Sequence, residues 1–472
     1  MKAVVDIGKT NVKLHILNDD GASFTHYSRK NVPVMSSPYP HADVDGIWQW
    51  LIETLAAFAD VSQIDAIIVT THGATAALVT MPDAPNDGAH GLALPILDYE
   101  YPAITECNSA YHLVRSSFDE TFSPDLPAGL NLGRQLFWQA TQYPEAFAKT
   151  HAILMYPQYW AWRLGGRLAS EVTSLGCHTD LWAPELQGYS SQVDRLQWRE
   201  LFPPMVNAWD CLGTVSEQVQ ALTGLPNHCR IHAGLHDSNA SYLRYLQPEK
   251  DAPFSVISTG TWTIFLEAKG DLTRLKDYRD TLTNSDIYSQ AVACARYMGG
   301  REYDAICQFL GADTSAEVNE TKVQMALDHG WWVTPDFSEG NGPFGGMTPR
   351  ASKTIPAEAA GVVATLYSAL MIDQRLNDLN STGDIYIEGA FLVNPLLCQL
   401  VAQLRAPQQV FLSDDATGTV QGAFSLMNKT SAERKKPVLG SKTHPCVASC
   451  FTGLDEYKTQ WQSFITENDC IS

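Results

Sequence analysis

Two short segments of this chain share one pattern: a strand, a polar turn centred on glycine, and a second strand. The first covers residues 4–14, and the second covers residues 256–266, about half the chain further on. In this alignment Gly8 matches Gly260. Glycine lets the backbone of such a turn approach an anion closely, and successive N–H groups then form a nest for phosphate oxygens. A duplicated hairpin of this kind predicts two related lobes that close around a nucleotide.

Length and composition limit the classes of protein that fit. A chain of 472 residues is too long for one hydrophobic core and predicts two or three domains. Its formal charge of −20 argues against nucleic acid or an anionic membrane as a partner. The sequence starts with a strand pattern and has no apolar run of the roughly 20 residues that cross a bilayer, so we expect a cytoplasmic protein. Ten scattered cysteines predict reduced, mostly buried thiols.

A short apolar run, Ala66–Val69, predicts a strand that is buried on both faces, as in a sheet covered by helices. Two threonines follow it, and then His72 and Gly73. Because α/β proteins bind ligands where buried strands end, His72 and Gly73 are candidates for contacts with a ligand.

Other elements follow from local patterns. Helical spacing predicts a helix over residues 361–380, followed by a strand at residues 385–387 and a helix that begins near Pro395. Residues 129–138 and 156–166 are rich in aromatic side chains and interrupted by glycine and proline, so we expect irregular, partly buried structure there.

The polar segment between Leu246 and Phe254 contains two prolines and directly precedes the second hairpin. It predicts the domain boundary. We therefore expect an N-terminal domain of residues 1–246 and a C-terminal domain of residues 247–472, each with one of the two hairpins.

The side chains of the first hairpin suit a phosphate and a metal ion. Thr10 and Asn11 add hydrogen-bond donors beside the backbone of Gly8, and Lys9 could add a positive charge at the terminal phosphate. Asp6 cannot bind phosphate at neutral pH, so we expect it to hold Mg²⁺ directly or through water. Either hairpin taken alone is better explained as a plain β-turn, and the pair in matching positions is the stronger signal.

Asp237 precedes a helical pattern, shortly before the second hairpin. A carboxylate in that position often only caps the helix. It has a second use here, because a hydroxyl that attacks phosphorus must lose its proton to a base within hydrogen-bond reach.

From about residue 3 to about residue 427 the chain resembles the FGGY carbohydrate kinases, of the actin-like sugar-kinase superfamily. Residues 6–11 and 258–262 are similar to the two phosphate motifs of the family, and His236-Asp237 stands where the family has its catalytic base. Gly389-Ala390 with Asn394 is similar to the adenosine motif. The resemblance implies an α/β fold of two RNase H-like (actin-like ATPase) lobes with a deep interlobe cleft. It also implies ATP and Mg²⁺ as cofactors, Asp237 as general base and Asp6 as the metal ligand.

The resemblance implies further site residues. The sugar would contact His72, Gly73, Asp98 and His236, although His72 as a satisfied strand-end histidine and Asp98 as a loop cap remain alternatives. The residues implied for ATP come from both hairpins and the adenosine turn: Gly8, Lys9, Thr10, Asn11, Thr259, Gly260, Thr261, Gly389, Ala390 and Asn394.

Several positions depart from the family pattern. Thr75, Glu100 and Gln135 stand where many members have Asp, Arg and Lys, and all three fall in the sugar half of the cleft. Glu388 replaces the first glycine of the adenosine turn. The phosphate hairpins and Asp237 are intact, so we expect kinase chemistry with an open sugar identity.

We therefore expect ATP-dependent phosphorylation of a hydroxyl of a ketose or related polyol. His236-Asp237 and the sequence Gly260-Thr261-Trp262 favour kinases of 6-deoxyketohexoses such as L-fuculose or L-rhamnulose. Two alternatives are a degenerate kinase that binds a sugar as a sensor, and an actin-like ATPase module that needs no base. Members of the family are often dimers, so a homodimer is allowed, although no interface pattern stands out.

Overall fold

The computed structural model describes residues 1–80, 91–246, 252–313, 317–338, 340–413, 418–428 and 442–469. The predicted boundary between Leu246 and Phe254 falls largely on residues 247–251, which lie outside these ranges.

The described residues form two compact units. Unit 1 takes the described parts of Met1–Lys250, Thr283–Ala291 and Thr417–Gly440, and unit 2 takes those of Asp251–Leu282, Val292–Ala416 and Ser441–Ser472. Two segments from the second half of the chain thus belong to unit 1. The functional domains 1–246 and 247–472 stay a prediction.

Unit 1 is built on a seven-stranded sheet with the strand order β3-β2-β1-β4-β10-β9, in which β11 also pairs with β4. Both β1 and β10 run parallel to β4, as does β11, while β2, β3 and β9 run antiparallel to their neighbours. The strands are β1 (Lys2–Ile7), β2 (Asn11–Leu17), β3 (Ser23–Lys30), β4 (Ala66–Thr71), β9 (Cys211–Thr214), β10 (Arg230–His232) and β11 (Leu235–His236). Two small hairpins pair β5 (Ala76–Val79) with β6 (Ala152–Met155) and β7 (Trp182–Ala183) with β8 (Gly188–Tyr189).

Helices cover this sheet on both faces. The helices of unit 1 are α1 (Val44–Ala57), α2 (Asn108–Tyr111), α3 (Phe118–Thr121), α4 (Leu132–Gln142), α5 (Pro144–Phe147), α6 (Tyr156–Leu164), α7 (Val172–Leu175), α8 (Ser191–Arg195), α9 (Glu217–Thr223), α10 (Asp237–Leu243) and, from the second half of the chain, α15 (Gly418–Met427). Successive side chains of a strand point to opposite faces. Accordingly Val5 of β1 packs in a cluster with residues of α1 and α6, whereas Val4 packs in another with residues of α10 and α15. All six residues of β4 are buried, as predicted for residues 66–69.

The second seven-stranded sheet has the order β14-β15-β13-β12-β16-β17-β18. Its strands are β12 (Phe254–Thr259), β13 (Thr263–Ala268), β14 (Thr281–Ser285), β15 (Ala291–Tyr297), β16 (Asp384–Gly389), β17 (Val410–Ser413) and β18 (Thr443–Pro445). The run β15-β13-β12-β16-β17-β18 matches the run β3-β2-β1-β4-β10-β9 in order and in the direction of every pairing. The predicted duplication and the α/β class are therefore confirmed.

The helices of unit 2 are α11 (Gly299–Phe309), α12 (Glu320–His329), α13 (Ala360–Asp378), α14 (Pro395–Leu404) and α16 (Leu454–Asp469). The predicted helix over 361–380 is α13, which is buried along most of its length and contacts α11, α12 and α14. The predicted start of a helix near Pro395 and the strand at 385–387 are also confirmed.

The prediction of irregular structure at residues 129–138 and 156–166 is wrong for most of both segments, because α4 and α6 are regular helices. Pro157 lies in the first turn of α6, where no intrahelical bond needs its missing N–H, and the helix ends directly before Gly165. Proline and glycine therefore mark the ends of this helix, and its aromatic side chains are buried in the core.

Two expectations from composition concern thiols and membranes. The nine cysteines among the described residues are free thiols, six of them buried, while Cys470 lies outside the described ranges. No helix in the described part of the chain combines the length and the apolar composition needed to span a membrane.

Gly234, between β10 and β11, should be strongly intolerant of a side chain. Its φ is +78°, and a Cβ there would lie 2.1 Å from the carbonyl oxygen of Val69. We expect Gly234→Ala to lower the free energy of unfolding by about 3 kcal/mol or more, since the strained φ and the backbone clash add. Gly224→Ala is the matched control in unit 1, with φ +80° and a nearest atom at 3.3 Å, and should cost about 1–2 kcal/mol. Equal losses in chemical unfolding would contradict the account.

Candidate active site

The carboxyl ends of three parallel strands meet at one edge of the sheet of unit 1. Asp6 of β1 pairs with Thr70 of β4, and His236 of β11 pairs with Thr71 on the other side of that strand. Asp237 follows β11 directly as the first residue of α10. The pairing therefore brings Asp6 and Asp237, predicted to hold metal and to act as base, to the same edge.

The carboxyl group of Asp6 lies in a largely buried position. Burial, together with the negative charge of Asp237, raises the pKa of Asp6 to about 6. The ammonium group of Lys13, 3.9 Å from Oδ2 of Asp6, acts in the opposite direction with a smaller effect. Strongly shifted carboxyl groups beside one another are typical of functional sites.

The side chain of Asp237 is 29% exposed, so a ligand can reach it. Its Oδ1 accepts the N–H of Ser238 at 2.6 Å and lies 3.2 Å from Nε2 of His236. Burial raises the pKa of Asp237, while the hydrogen bonds from Ser238 oppose the shift. The carboxylate is therefore a stronger base than an ordinary aspartate.

The imidazole of His236 is buried, and this burial lowers its pKa to about 4, so the ring is neutral. A neutral ring carries one N–H, and the contact between Nε2 and Asp237 assigns the N–H to Nε2. The other nitrogen, Nδ1, is buried without a hydrogen-bond partner among the described residues. Gly73 comes close to this ring, because a Cβ at Gly73 would lie 2.9 Å from Nε2 of His236.

His72 leaves β4 beside these groups. Its N–H donates to the carbonyl of Ile7 at 3.0 Å, and Nδ1 lies 3.0 Å from the carbonyl oxygen of Gly73. The ring packs against Tyr99 and Tyr156, with centroid distances of 5.6 and 5.4 Å. Burial lowers the pKa of His72, so the ring is neutral. Since Nδ1 carries the N–H that faces the carbonyl of Gly73, Nε2 is a hydrogen-bond acceptor.

The buried threonine Thr173, which no sequence motif singled out, holds the turn that carries Asp237. Oγ1 of Thr173 accepts the N–H of His236 at 2.9 Å, and its carbonyl accepts Nδ2 of Asn239 at 3.3 Å. The N–H and hydroxyl of Thr173 both donate to Oε2 of Glu171, at 3.0 and 2.6 Å. A carboxylate followed two residues later by a threonine is the local signal that Glu171 caps the N-terminus of α7. The contact between Thr173 and His236 depends on the fold and has no local signal.

Two of the residues that depart from the family pattern bind the backbone at the end of β4. The hydroxyl of Thr75 donates to the carbonyl of Gly73 at 3.1 Å. Nε2 of Gln135 donates to the carbonyl of Ala74 at 2.7 Å and also to the carbonyl of Gly129. These side chains hold the strand exit in place.

Lys9 was predicted to reach a phosphate. It instead contacts Asp98, a predicted sugar ligand, and Glu100, which departs from the family pattern. Its ammonium group forms an ion pair with Asp98, lies 3.4 Å from Oε2 of Glu100 and stands 4.4 Å from the ring centroid of Tyr99. Lys9 and Asp98 line a small cavity of about 30 Å³ together with His72. Residues predicted for two different ligands thus meet in one place.

The turn of the first hairpin is closed by its own hydrogen bonds. The N–H of Gly8 donates to the carbonyl of Asn11 at 2.9 Å, and Nδ2 of Asn11 lies 3.1 Å from Oγ1 of Thr10. Nδ2 of Asn31 donates to the carbonyl of Gly8 at 2.8 Å. The turn is therefore fixed in shape before any ligand binds.

In unit 2, Thr259 joins the second hairpin to the predicted adenosine turn. Its hydroxyl donates to the carbonyl of Glu388 at 2.6 Å and accepts the N–H of Phe391 at 2.9 Å. Gly389 has φ +93°, and a Cβ there would lie 2.1 Å from the carbonyl oxygen of Thr259. Thr259 and Gly389, both predicted to bind ATP, therefore allow the ends of β12 and β16 to pack closely.

A pocket of about 740 Å³ opens beside this junction. This volume is typical of sites for cofactor-sized ligands. Four predicted ATP residues line it, namely Gly260, Thr261, Ala390 and Asn394. Other lining residues were not predicted from the sequence, among them Gly300, Arg301, Tyr303, Asp304 and Phe391. The glycine pair at the start of α11, directly after a strand, was the available signal, because such helix starts bind anions.

Comparison with known proteins identifies the family. The sequence model described as carbohydrate kinase FGGY, C-terminal domain, matches residues 251–436. A carbohydrate kinase from Novosphingobium aromaticivorans has a solved structure that is 31% identical, with a TM-score of 0.85 over 98% of this chain and 100% of that chain. The chain belongs to the FGGY carbohydrate kinases. The predicted fold of two RNase H-like, actin-like lobes is thereby confirmed, and the enzyme class is that of a carbohydrate kinase.

Two further relatives of this FGGY kinase illustrate the breadth of the family. L-fuculokinase from Escherichia coli (strain K12) is 25% identical over 450 residues, which cover 89% of this chain and 90% of that protein. The structure of Plasmodium falciparum glycerol kinase with ADP has a TM-score of 0.77 at 11% identity, over 99% of this chain and 98% of that one. The latter likeness concerns the fold alone.

Thr173→Val should destabilise the protein, because it leaves the N–H of His236 without its acceptor and removes one of the two hydrogen bonds that Oε2 of Glu171 accepts. We expect a loss of about 1–3 kcal/mol in the free energy of unfolding. Thr173→Ser keeps the hydroxyl and should recover most of this loss. Chemical unfolding of both variants measures these free energies. A valine variant as stable as the serine variant would contradict the hydrogen bonds assigned to the hydroxyl of Thr173.

Glu171 should make stability depend on pH. Its side chain is fully buried, and burial raises its pKa to about 8 from an ordinary value of 4.5. The folded state then binds more protons than the unfolded state between these values, so the contribution of Glu171 to stability falls as pH rises through that window.

Glu171→Gln cannot ionise and should not show this loss. Relative to the wild type, the variant should gain about 1–3 kcal/mol between pH 5 and pH 8 in chemical unfolding. Other buried carboxyl groups titrate in both proteins and cancel in the difference. A difference that stays constant with pH would show that Glu171 is ionised in the fold.

Proposed function

We propose that this FGGY kinase transfers the γ-phosphoryl group of ATP to a hydroxyl of a ketose, with L-fuculose and L-rhamnulose as the first candidates. The observation that carries the proposal is the meeting of Asp6, His236 and Asp237 at one strand edge, with Asp237 partly exposed. The similarity to an L-fuculokinase over nearly the full chain supports the substrate class.

Asp237 is the general base of the proposed reaction. The sugar hydroxyl gives its proton to the carboxylate while its oxygen forms a bond to the γ-phosphorus, and the bond from phosphorus to the β,γ-bridging oxygen breaks with release of ADP. The raised pKa of Asp237 favours its acceptance of that proton. The contact from His236 fixes the orientation of the carboxylate.

The sugar would bind in unit 1 against His72, Gly73, Asp98 and His236. The imidazole of His236 is neutral, and the Nε2 edge of its ring borders Gly73, so a sugar at Gly73 would contact this edge. His72 offers the acceptor Nε2, because Nδ1 is engaged by the carbonyl of Gly73. Neutral donors and acceptors of this kind suit an uncharged polyol.

The nucleotide would take the pocket of unit 2. Its size fits adenosine, and Gly260, Thr261, Ala390 and Asn394 line it. The adjoining Thr259 and Gly389 shape the pocket wall through their backbone contact.

The first hairpin would contribute Gly8, Thr10 and Asn11 to phosphate binding. Mg²⁺ is usually held in proteins by one or two carboxylates, water and substrate phosphates, and it neutralises the charge of the phosphates. Asp6 fits that role, since its carboxylate is 15% exposed and can be reached by a hydrated ion. A cytoplasmic location and a homodimer stay predictions.

Asp237→Asn tests the assigned base. We expect the rate of ADP release with L-fuculose or L-rhamnulose to fall by about 10²–10⁴-fold, because the amide cannot accept the proton. Thermal stability and ketose affinity should change little, since the side chain keeps its shape. Asp119→Asn, at an exposed carboxylate in the first turn of α3, is the matched control and should keep full activity. Near-normal turnover by the Asp237 variant would remove the base from the mechanism.

A further inference from the structure

The small cavity beside His72 has room for about two groups the size of water, because a water needs roughly 10–15 Å³. A phosphate group, with four oxygens around phosphorus, is larger than this space. One part of the lining is polar, with Lys9, Asp98 and His72. Asn31 and Thr75 are polar as well, whereas the other lining residues are Pro33, Ala42, Leu97, Tyr99 and Tyr156.

The ammonium group of Lys9 is held firmly on this side. Asp98, its ion-pair partner, is only 7% exposed, and the side chain of Lys9 is 25% exposed. Moving Lys9 away would leave a buried carboxylate without a cation, which is costly, and would break the contact with the ring of Tyr99. Lys9 is therefore more favourably placed for a ligand in this cavity than for a phosphate elsewhere.

The two charged groups offer complementary hydrogen bonds. A carboxylate only accepts and an ammonium only donates, whereas a hydroxyl can do both. Two hydroxyls on adjacent carbons can therefore satisfy the pair at once, one donating to Asp98 and the other accepting from Lys9. The space for two water-sized groups matches two hydroxyls.

We propose that Lys9 and Asp98 together bind two neighbouring hydroxyls of the acceptor sugar, and that Glu100 makes this pocket selective for neutral sugars over sugar acids. The proposal rests on the proposed function and specifies the substrate class of the same site. Lys9, which the sequence predicted as a ligand of the phosphate, is then a ligand of the sugar.

Glu100 supplies the selectivity through its charge. Lys9 and Asp98 cancel, and the carboxylate of Glu100, 3.4 Å from Lys9, leaves the cluster with one net negative charge. A sugar acid brings a second negative charge into this region and is repelled, whereas a neutral ketose is not. The side chain of Glu100 is 65% exposed, so the discrimination it provides is modest.

Lys9→Met tests the first part of the proposal in the full-length protein. We expect the dissociation constant and the KM for the ketose to rise about tenfold, because a charge-assisted hydrogen bond is lost, while the KM for ATP changes less than about twofold. Lys9→Arg should restore part of the ketose affinity. Lys30→Met, at an exposed lysine of β3, is the control and should match the wild type.

A double-mutant cycle shows whether the two residues act together. Asp98→Asn should weaken ketose binding about as much as Lys9→Met, and the double variant should lose less than the product of the two single effects. Circular dichroism and thermal unfolding establish that each variant is folded. Independent, multiplicative losses would contradict a shared site.

Glu100→Gln tests the selectivity. Calorimetry measures the affinity of each protein for the ketose and for D-gluconate. We expect the ratio of ketose affinity to D-gluconate affinity to be about fivefold lower in the variant than in the wild type. A ratio that does not change, including D-gluconate that stays below detection, contradicts the role of Glu100.

The outcomes separate this proposal from the proposed function. If Lys9→Met raises the KM for ATP and leaves ketose binding unchanged, Lys9 is a phosphate ligand, and the proposal fails while the kinase assignment stands. If the wild type binds none of L-fuculose, L-rhamnulose and L-xylulose, both the neutral-ketose pocket and the ketose substrate are wrong.

Discussion

The parallel pairing of β1 and β11 with β4 determines where the functional side chains of unit 1 lie. A shift of one residue in this register would turn Asp6 to the opposite face of the sheet. Burial on both faces prevents such a shift, because alternate residues of β1 pack in two different clusters. The hydrophobic core thus fixes the site, even though none of its apolar side chains takes part in the proposed chemistry.

The same edge concentrates groups whose protonation is shifted by burial. Asp6 and Asp237 have raised pKa values, while the imidazoles of His72 and His236 are held neutral. The turn that presents Asp237 is held by Thr173, which is itself held by a buried carboxyl group. Such an arrangement is costly for folding and is expected where binding or catalysis requires it.

The sequence was sufficient for features encoded over a few residues. Both hairpins, the buried strand β4 and the helix α13 follow from local alternation, helical spacing and turn residues, and the matching hairpins predicted the duplication that the two sheets show. The aromatic segments were misread because proline and glycine at the ends of a helix look the same in sequence as breaks within it. The pairing of β1 and β11 with β4 in the sheet of unit 1 brings Asp6 and Asp237 to one edge.

Features that depend on long-range contacts could not be predicted. The addition of α15 to unit 1 brings together segments that are far apart in sequence. The hydrogen bonds from Thr173 to His236 and the ion pair of Lys9 with Asp98 likewise join distant residues. A lysine in a glycine turn carries a strong local expectation of phosphate binding, and only the position of Asp98 in the fold argues against it.

The central claim assigns the acceptor sugar to the strand edge of unit 1 and the nucleotide to the pocket of unit 2. Hydrogen exchange of backbone amides, measured with each ligand alone, tests it most directly. L-fuculose or L-rhamnulose should slow exchange at residues 71–75, 97–100 and 235–238, and ADP should slow it at residues 299–304 and 389–397. Protection of the second set by the ketose, or no protection of it by ADP, would contradict the account.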